Sequence, residues 1–155
     1  MSQRTSILFI CMGNICRSPL AEGLFLHKIN ARRVASRFHV DSAGTGNWHA
    51  GERPDPRSLE VAKRRGVALP GRARQATTED FAQFDHLICM DGVNRRHLIA
   101  MGAPEAKIRL LLSYAPECAV TDVPDPYTGD LDGFELVFSL VDRGCDGLLE
   151  ALAPE

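Results

Sequence analysis

A cysteine and an arginine mark the two ends of a short segment near the start of the chain, Cys11 and Arg17, in the spacing C-x5-R. An apolar run, residues 7–10, precedes the segment, and Ser18 and Pro19 follow it. The segment therefore connects a predicted buried strand to the predicted start of a helix. A tight loop in this position can hold a tetrahedral oxyanion against a sulfur nucleophile. Few other arrangements require both residue types at this spacing.

The two ends of the loop have complementary chemistry. The partial positive charge of a helix N-terminus, together with Arg17, favours the thiolate form of Cys11. The hydroxyl of Ser18 can donate a hydrogen bond to that thiolate, and the planar guanidinium of Arg17 can bind two oxygens of a phosphate at once. Phosphoryl transfer depends mainly on positioning and on charge stabilisation, and this loop offers both.

The residues between the two ends are expected to form an anion-binding nest, in which successive backbone N–H groups point inward. Gly13 permits the positive φ or the close approach that such a nest requires. Asn14 tolerates left-handed geometry and can brace the loop with its side chain. The predicted phosphate-binding residues are Met12, Gly13, Asn14, Ile15, Cys16, Arg17 and Ser18.

A second segment, residues 123–127, reads Val-Pro-Asp-Pro-Tyr and supplies a candidate acid. A reaction through a thiophosphate intermediate needs an acid that protonates the leaving group. Asp125 lies between two prolines that stiffen its backbone, as an aspartate held over a site requires. The same residues also fit an ordinary turn aspartate, and both interpretations stay open on the residues alone.

Composition and charge exclude several classes of protein. The 155 residues suit a single domain, 1–155, and 45% of them are hydrophobic and 25% charged. The net charge of -2 gives no basic field for nucleic acid or for an anionic membrane, and no apolar run approaches the roughly 18 residues of a membrane span. Five cysteines, an odd number, favour a reducing cytoplasm over a disulfide framework. No further pair of Cys or His matches Cys11 and Cys16, so no metal is expected.

The alternation of apolar runs with helical patterns predicts an α/β fold: a small doubly wound domain with a four-stranded parallel sheet flanked by helices. Ligands of such sheets bind beyond the carboxyl ends of the strands, where the C-x5-R loop lies. Ser18 is expected to cap the first helix, and Pro19 to occupy its first turn. The predicted strands are 5–10, 38–43, 84–90 and 107–111, and the predicted helices begin near 17 or 18 and cover 55–65, 91–102 and about 131–152.

The chain resembles the low-molecular-weight protein tyrosine phosphatases. The resemblance is carried by the strings ILFICMGNICRSPLAE, DSAGTGNWHAGERPDPRS, ARQATTEDFAQFDHLICMD and PDPYTGDLDGFE. The resemblance extends from about residue 5 to 150. It implies cysteine-dependent hydrolysis of phosphotyrosine in proteins, and of aryl phosphates, through a covalent thiophosphate. Cys11 would then be the nucleophile, Arg17 the group that binds phosphate and transition state, and Asp125 the general acid and later the base.

The resemblance also implies supporting roles. Ser42 occupies a position that the family uses to hydrogen-bond the loop asparagine, here Asn14. Asp91 resembles a residue that helps to hold the arginine. Trp48 and Tyr127 resemble aromatic walls that make the cleft deep, so that phosphotyrosine reaches the sulfur while phosphoserine falls short. No cofactor is implied.

Cys16 is similar to the family's second loop cysteine. Its spacing from Cys11 would allow a disulfide once peroxide has converted Cys11 to sulfenic acid, which would protect the nucleophile from irreversible oxidation. The alternative is a simple packing residue.

Two positions depart from the family: Thr128 follows Tyr127 where a second tyrosine is common, and Arg72 lies where some members have a histidine nearby. Neither departure is assigned a role.

Three rival functions remain on the sequence alone. Phosphoarginine hydrolysis, in one branch of the family, is expected with threonine in place of Ile15, whose apolar side chain favours an aromatic ester. Thiol-linked arsenate reduction needs two further cysteines after the third strand, whereas Cys89 is followed only by the distant Cys118. A non-catalytic phosphotyrosine-binding module is expected to lack Cys11 or Asp125. The cysteines left as structural are Cys89, Cys118 and Cys145.

The expected partners follow from the resemblance and from the composition. The substrate is a phosphotyrosyl protein, and bacterial members of the family often act with a cognate tyrosine kinase. Neither nucleic acid nor a membrane is expected as a partner. The protein is expected to be a cytoplasmic monomer.

Overall fold

The four predicted strands form one parallel sheet. The computed structural model describes residues 4–154, and the ends of the predicted domain, residues 1–3 and 155, lie outside that range. Neighbouring strands are parallel throughout. The strands are β1 (Thr5–Cys11), β2 (Phe38–Gly44), β3 (His86–Cys89) and β4 (Ile108–Leu110), in the order β2-β1-β3-β4 across the sheet. The predicted fold class is confirmed, although β3 and β4 are shorter than predicted.

Helices cover and connect the strands. Within residues 4–154 the α-helices are α1 (Arg17–Ala31), α2 (Pro56–Lys63), α3 (Thr78–Gln83), α4 (Gly92–Ala100) and α5 (Leu131–Leu152). Short 3-10 turns lie at Ala35–Arg37, Glu105–Lys107, Leu111–Tyr114 and Pro116–Cys118. The prediction missed α3, which is too short to show an apolar period. Its signal was the capping box between Thr77 and Asp80.

The first turn of α1 differs from the prediction in one respect. The helix begins at Arg17 and Pro19 lies in its first turn, as expected. The expectation that Ser18 caps the helix is wrong, because the N-cap position is Cys16, which makes no capping hydrogen bond through its side chain. Ser18 lies inside the turn, so its hydroxyl is available to another partner.

The other helix starts follow their sequence signals. Asp55 caps α2 by accepting a hydrogen bond from the N–H of Arg57, and Asp91 caps α4 in a capping box with Asn94. The turn after α2 closes at Gly66, which has a φ of 71°. These caps fix the positions of two carboxylates, at 55 and 91, that lie close to the C-x5-R loop.

Strand β1 is buried on both faces, which explains its continuous apolar run. Ile7 and Phe9 pack with side chains of α1 and α5, whereas Leu8 and Ile10 pack with side chains of α3 and α4 on the opposite face. All four side chains are fully buried. The loop that follows β1 is therefore attached to the central and best-covered strand of the sheet.

The crevice beyond β1 lies where the strand order reverses. Because β1 is between β2 and β3, the connections at its carboxyl end diverge to opposite sides. The N–H groups of Thr45 and Gly46 donate to the carbonyl oxygens of Cys11 and Met12, at 2.9 and 3.0 Å. These bonds keep the loop after β2 beside the C-x5-R loop.

Candidate active site

The C-x5-R loop closes between the end of β1 and the start of α1, as predicted. Asn14 takes the left-handed position, with a φ of 57°. The alternative of a positive φ at Gly13 is wrong, since Gly13 is not among the residues in that region. A Cβ on Gly13 would lie 3.0 Å from the ring of His49, so the glycine leaves room for that ring.

The sulfur of Cys11 is buried at the base of the loop and lies 3.0 Å from the Ser18 hydroxyl. The side-chain amide of Asn14 donates to the same hydroxyl oxygen, at 2.8 Å. Because the Ser18 oxygen accepts from Asn14, its own proton is available to the sulfur. A thiolate at Cys11 can only accept, so in that state Ser18 donates the hydrogen bond to the sulfur.

Asn14 is itself held from three sides. Its Nδ2 also donates to Ser42 Oγ at 3.0 Å, and its Oδ1 accepts the backbone N–H of Arg74 at 3.0 Å. Ser42 in turn donates to Glu22 Oε1 at 2.6 Å. The contact between Ser42 and Asn14 implied by the resemblance is thus present. A continuous chain of hydrogen bonds joins Glu22, through Ser42, Asn14 and Ser18, to the sulfur.

Glu22 is a buried carboxyl at the far end of this chain. Its exposed fraction is 8%. Burial raises its pKa to about 7, the hydrogen bond from Ser42 opposes that rise, the charge of Asp41 adds to it, and Arg74 opposes it. The guanidinium of Arg74 is bonded to Asp41 and Asp80, at 2.9 Å each. Glu22 therefore changes its charge within the physiological pH range.

Arg17 is almost completely buried, with an exposed fraction of 2%. Its Nη1 donates to Asp91 at 2.5 Å and to the carbonyl of Val123 at 2.9 Å. Burial disfavours the cation, but the Cys11 sulfur and the Asp91 carboxylate outweigh this effect and raise the pKa of Arg17. Among residues 4–154, no group accepts a hydrogen bond from its Nε or Nη2, so this edge of the fork is available to an anion.

Asp125 reaches the same cleft from the loop that precedes α5. Its Oδ2 lies 3.7 Å from Nη2 of Arg17, and its Oδ1 accepts the backbone N–H of Tyr127 at 3.1 Å. The side chain is 37% exposed. The carboxylate therefore stands at an open rim facing the buried cation, rather than in a turn remote from the loop.

Two aromatic side chains border the cleft, which has a volume of about 190 Å³. Trp48 is 67% exposed and Tyr127 is 47% exposed. His49 lies between them, with its ring 5.6 Å from that of Tyr127 and its Nδ1 2.9 Å from Glu52 Oε2. The lining residues are Cys11, Met12, Gly13, Ile15, Cys16, Arg17, Trp48, His49, Asp125 and Tyr127.

All five cysteines are free thiols. Cys16 lines the cleft, and its sulfur lies 4.0 Å from Oδ2 of Asp55. Burial and then the charge of Asp55 raise the pKa of Cys16 well above its ordinary value. Burial also raises the pKa of Cys89, to about 12, and Cys145 is fully buried in the core.

Sequence reasoning missed three polar residues at this site: Glu22, His49 and Arg57. The signal for Glu22 was an acidic residue within the buried part of α1, between Leu20 and Leu24. His49 and Arg57 belong to the string that carried the resemblance, but nothing in their spacing distinguished them from loop residues. Only the three-dimensional contacts identify them.

No group of three or more His, Cys, Asp or Glu side chains within residues 4–154 could hold a metal ion. None of the described helices is long and apolar enough to cross a membrane.

A sequence model of one family, described as low molecular weight phosphotyrosine protein phosphatase, matches residues 6–155. The chain belongs to this family. The low molecular weight phosphotyrosine protein phosphatase of Schizosaccharomyces pombe is 42% identical over 146 residues, which cover 92% of this chain and 94% of the relative. As a low molecular weight phosphotyrosine protein phosphatase, the chain is a hydrolase with phosphoprotein substrates, and the predicted family and enzyme class are confirmed.

Solved structures of phosphatases share the fold. A protein tyrosine phosphatase from Entamoeba histolytica is 34% identical, with a TM-score of 0.92 over 96% of each chain. An arginine phosphatase from Drosophila is 31% identical, with a TM-score of 0.88 over 95% of this chain and 97% of that chain. The same fold therefore carries phosphatases named for different phosphorylated residues.

Proposed function

We propose that the chain hydrolyses phosphotyrosine in proteins with Cys11 as nucleophile, Arg17 as the group that binds the phosphate and the transition state, and Asp125 as acid and then base. One observation carries this proposal. The buried sulfur, the open edge of a buried guanidinium and an exposed carboxylate line one cleft. Each of the three has the environment that its role requires.

In the first step the Cys11 sulfur attacks phosphorus. The S–P bond forms while the bond from phosphorus to the tyrosine oxygen breaks, and Asp125 transfers its proton to the departing phenol oxygen. The backbone N–H groups of residues 12–17 and the free edge of Arg17 stabilise the charge on the three remaining oxygens. The products of this step are a free tyrosine hydroxyl and a thiophosphate on Cys11.

In the second step a water molecule takes the place of the tyrosine oxygen. Asp125, now ionised, removes a proton from the water as the new O–P bond forms and the S–P bond breaks. Inorganic phosphate leaves, and the sulfur returns as a thiolate that accepts a hydrogen bond from Ser18. Asp125 ends protonated, so the cycle consumes one water and restores both groups.

The shape of the cleft supports an aromatic substrate. Trp48 and Tyr127 present exposed ring surface at its rim, and aromatic rings pack favourably in stacked or edge-to-face arrangements. Cys11, in contrast, is only 2% exposed. A phosphorylated phenol can present its phosphate to the buried cysteine while its ring contacts the two aromatic walls.

Phosphoarginine is the second candidate substrate, because a solved relative of this fold is named as an arginine phosphatase. Ile15 lines the cleft and is 6% exposed. Its apolar side chain offers a guanidinium no hydrogen-bond acceptor, which favours the aryl ester. If Ile15 discriminates, Ile15→Thr raises hydrolysis of phosphoarginine relative to p-nitrophenyl phosphate. An unchanged ratio removes Ile15 as the discriminator.

The arsenate reductase alternative lacks support in the geometry. That chemistry requires further reactive cysteines beside the loop. Cys89 is fully buried and its pKa is raised to about 12, so it is not placed to exchange thiols with Cys11.

We further propose that residues 1–155 act as one domain, as a monomer in the cytoplasm, and that a cognate tyrosine kinase phosphorylates the substrates. The five free thiols support a reducing compartment. Light scattering after size exclusion tests the monomer. A mass corresponding to two chains at micromolar concentration contradicts it.

The proposed function is tested by hydrolysis of p-nitrophenyl phosphate at slightly acid pH, with reductant and without added metal. The parent is expected to be active and Cys11→Ser inactive. Activity that persists in Cys11→Ser removes Cys11 as the nucleophile. Arsenate-dependent thiol oxidation by a parent without phosphatase activity would instead favour the reductase.

A further inference from the structure

We propose that Arg57 is a positioning residue for the acid step, holding the loop that carries Asp125 at a fixed place relative to the nucleophile loop. This inference rests on the proposed role of Asp125 as the general acid. We call residues 124–129 the acid loop. Arg57 touches neither the sulfur nor the cleft, and its effect on the reaction passes through Asp125.

Arg57 connects the acid loop to the rest of the protein. Its Nη1 donates to the carbonyl of Gly129 and its Nη2 to the carbonyl of Tyr127, both at 2.9 Å. Among residues 4–154, it is the only residue outside the acid loop that donates hydrogen bonds into it. The remaining hydrogen bonds of the loop are internal, from Tyr127 N–H to Asp125 and from Gly129 N–H to the carbonyl of Pro126.

The other side of Arg57 is tied to the nucleophile loop. Its Nε and Nη2 donate to the two oxygens of Asp55, at 3.0 and 2.9 Å, so the pair is bidentate. The backbone N–H of Asp55 donates to the carbonyl of Ile15, at 2.7 Å. Arg57 and Asp55 therefore form a short connection between a residue of the C-x5-R loop and two carbonyls of the acid loop.

The plane of the guanidinium is fixed by a ring. The Cζ of Arg57 lies 4.3 Å from the centroid of Phe134, a fully buried residue of α5. A planar fork packed on this ring can donate to Asp55 and to both carbonyls at once. A lysine has a single ammonium on a flexible stem and cannot form this set of contacts.

The position of Asp125 makes such a connection necessary. The carboxylate is 37% exposed, and within residues 4–154 its one ion pair outside its own loop is the 3.7 Å approach to Arg17. General acid catalysis requires the acid within about 2.6–3.2 Å of the leaving oxygen, so a loop that drifts by an ångström loses much of the effect. The two bonds from Arg57 restrain the backbone on the C-terminal side of Asp125.

The test compares Arg57→Gln and Arg57→Lys with the parent, using aryl phosphates whose phenols differ in pKa. The matched control is Arg64→Gln, because Arg64 lies at the end of α2 and pairs with Glu60 and Glu135 without touching the acid loop. The measured quantity is kcat/KM, which reports the step that cleaves the aryl ester. Far-ultraviolet circular dichroism and Tm confirm that each variant is folded.

For Arg57→Gln, kcat/KM is expected to fall about tenfold or more on phenyl phosphate, a part of the roughly 10²–10⁴ that a positioned acid contributes, and much less on p-nitrophenyl phosphate, whose leaving group needs little protonation. Inhibition by inorganic phosphate is expected to stay unchanged. Arg57→Lys should lie between the parent and Arg57→Gln. When Asp125→Asn is already present, adding Arg57→Gln should not further change how kcat/KM depends on the pKa of the phenol.

Several outcomes overturn the inference. Equal losses on good and poor leaving groups, or losses no larger than those of Arg64→Gln, show that Arg57 does not act through the acid. If Asp125→Asn itself does not change how kcat/KM depends on the pKa of the phenol, Asp125 is not the general acid, and the role of Arg57 falls with that assignment. An inactive parent, by contrast, contradicts the proposed function rather than the role of Arg57.

Discussion

The side-chain amide of Asn14 lies 2.8 Å from the hydroxyl oxygen of Ser18 and donates a hydrogen bond to it. An amide N–H can only donate, so the Ser18 oxygen accepts there and its proton is free for the Cys11 sulfur, 3.0 Å away. Asn14 makes this contact from a left-handed backbone conformation, with a φ of 57°.

Ser18→Ala is expected to lower kcat by about tenfold to a hundredfold. The reason is the loss of a hydrogen bond to a charged sulfur, worth roughly 1.5–3 kcal/mol. The matched control is Ser58→Ala, since Ser58 is also buried and donates to the carbonyl of Cys16 at 3.3 Å without contacting the sulfur. Steady-state kinetics on p-nitrophenyl phosphate over a range of pH gives the comparison. Equal losses in the two variants contradict a specific effect on the nucleophile.

Asp91→Asn is expected to weaken inhibition by inorganic phosphate by about tenfold or more. Asp91 fixes the Arg17 fork, and an amide cannot replace a carboxylate bonded to a buried cation, an interaction of roughly 1.5–3 kcal/mol. Asp122→Asn is the control, because Asp122 accepts from the N–H of Gly92 but does not contact Arg17. If inhibition by phosphate is unchanged in Asp91→Asn, the carboxylate of Asp91 is not needed to orient the guanidinium of Arg17, and the hydrogen bond to the carbonyl of Val123 is sufficient.

The stability of the protein is expected to depend on pH through Glu22. Burial raises its pKa from 4.5 to about 7, so the native state holds a proton that the unfolded state has released in this window. The free energy of unfolding should therefore fall as pH rises from about 4.5 to 7, by at most ~3 kcal/mol, and change little through this group above that. Urea unfolding at a series of pH values measures this free energy for the parent and for Glu22→Gln. The amide oxygen of the glutamine can still accept the hydrogen bond from Ser42.

The exposed Glu79 provides the control for this experiment, as Glu79→Gln. The difference in unfolding free energy between the parent and Glu22→Gln should shrink at low pH and grow toward pH 7. A difference that does not vary with pH, or one shared by Glu79→Gln, contradicts a buried titration at Glu22.

Gly46→Ala is expected to displace Trp48. A Cβ at position 46 would lie 1.8 Å from the Trp48 ring, so the indole must move. The chain has one tryptophan, and its fluorescence therefore reports position 48 directly. We expect a shifted emission spectrum and a severalfold higher KM for a phosphotyrosyl peptide, with kcat for p-nitrophenyl phosphate nearly unchanged. Gly92→Ala, which would meet only the end of Arg96 at 3.7 Å, should change neither.

Cys16→Ser is expected to make peroxide damage irreversible. Without a second thiol in the loop, a sulfenic acid on Cys11 continues to the sulfinic and sulfonic states. The fraction of activity that dithiothreitol restores after peroxide should fall well below that of the parent. Cys118→Ser, a half-buried cysteine away from the cleft, is the control. Equal recovery in Cys16→Ser and the parent shows that Cys16 does not protect the nucleophile.

The sequence predicted most of the fold, and it also pointed to the proposed reacting groups, because the signals for both are local. The apolar run of β1, the cap at Asp55 and the spacing from Cys11 to Arg17 each depend on neighbours in the chain. The contacts of Glu22 and Arg57 depend on residues from other elements, so no local pattern identifies them. Ser18 is a similar case. A serine at a helix start predicts a cap, whereas its hydroxyl lies beside the amide of Asn14 and the sulfur of Cys11.

The bond from Arg17 to the carbonyl of Val123 joins positions 106 residues apart. Contacts of such long range form late, because a long loop must close before they stabilise anything. During synthesis, a nascent chain that has not yet reached Val123 already contains Cys11. It still lacks one of the two hydrogen bonds that orient the guanidinium of Arg17. The fork that we propose binds phosphate is therefore complete only after Val123 has been made.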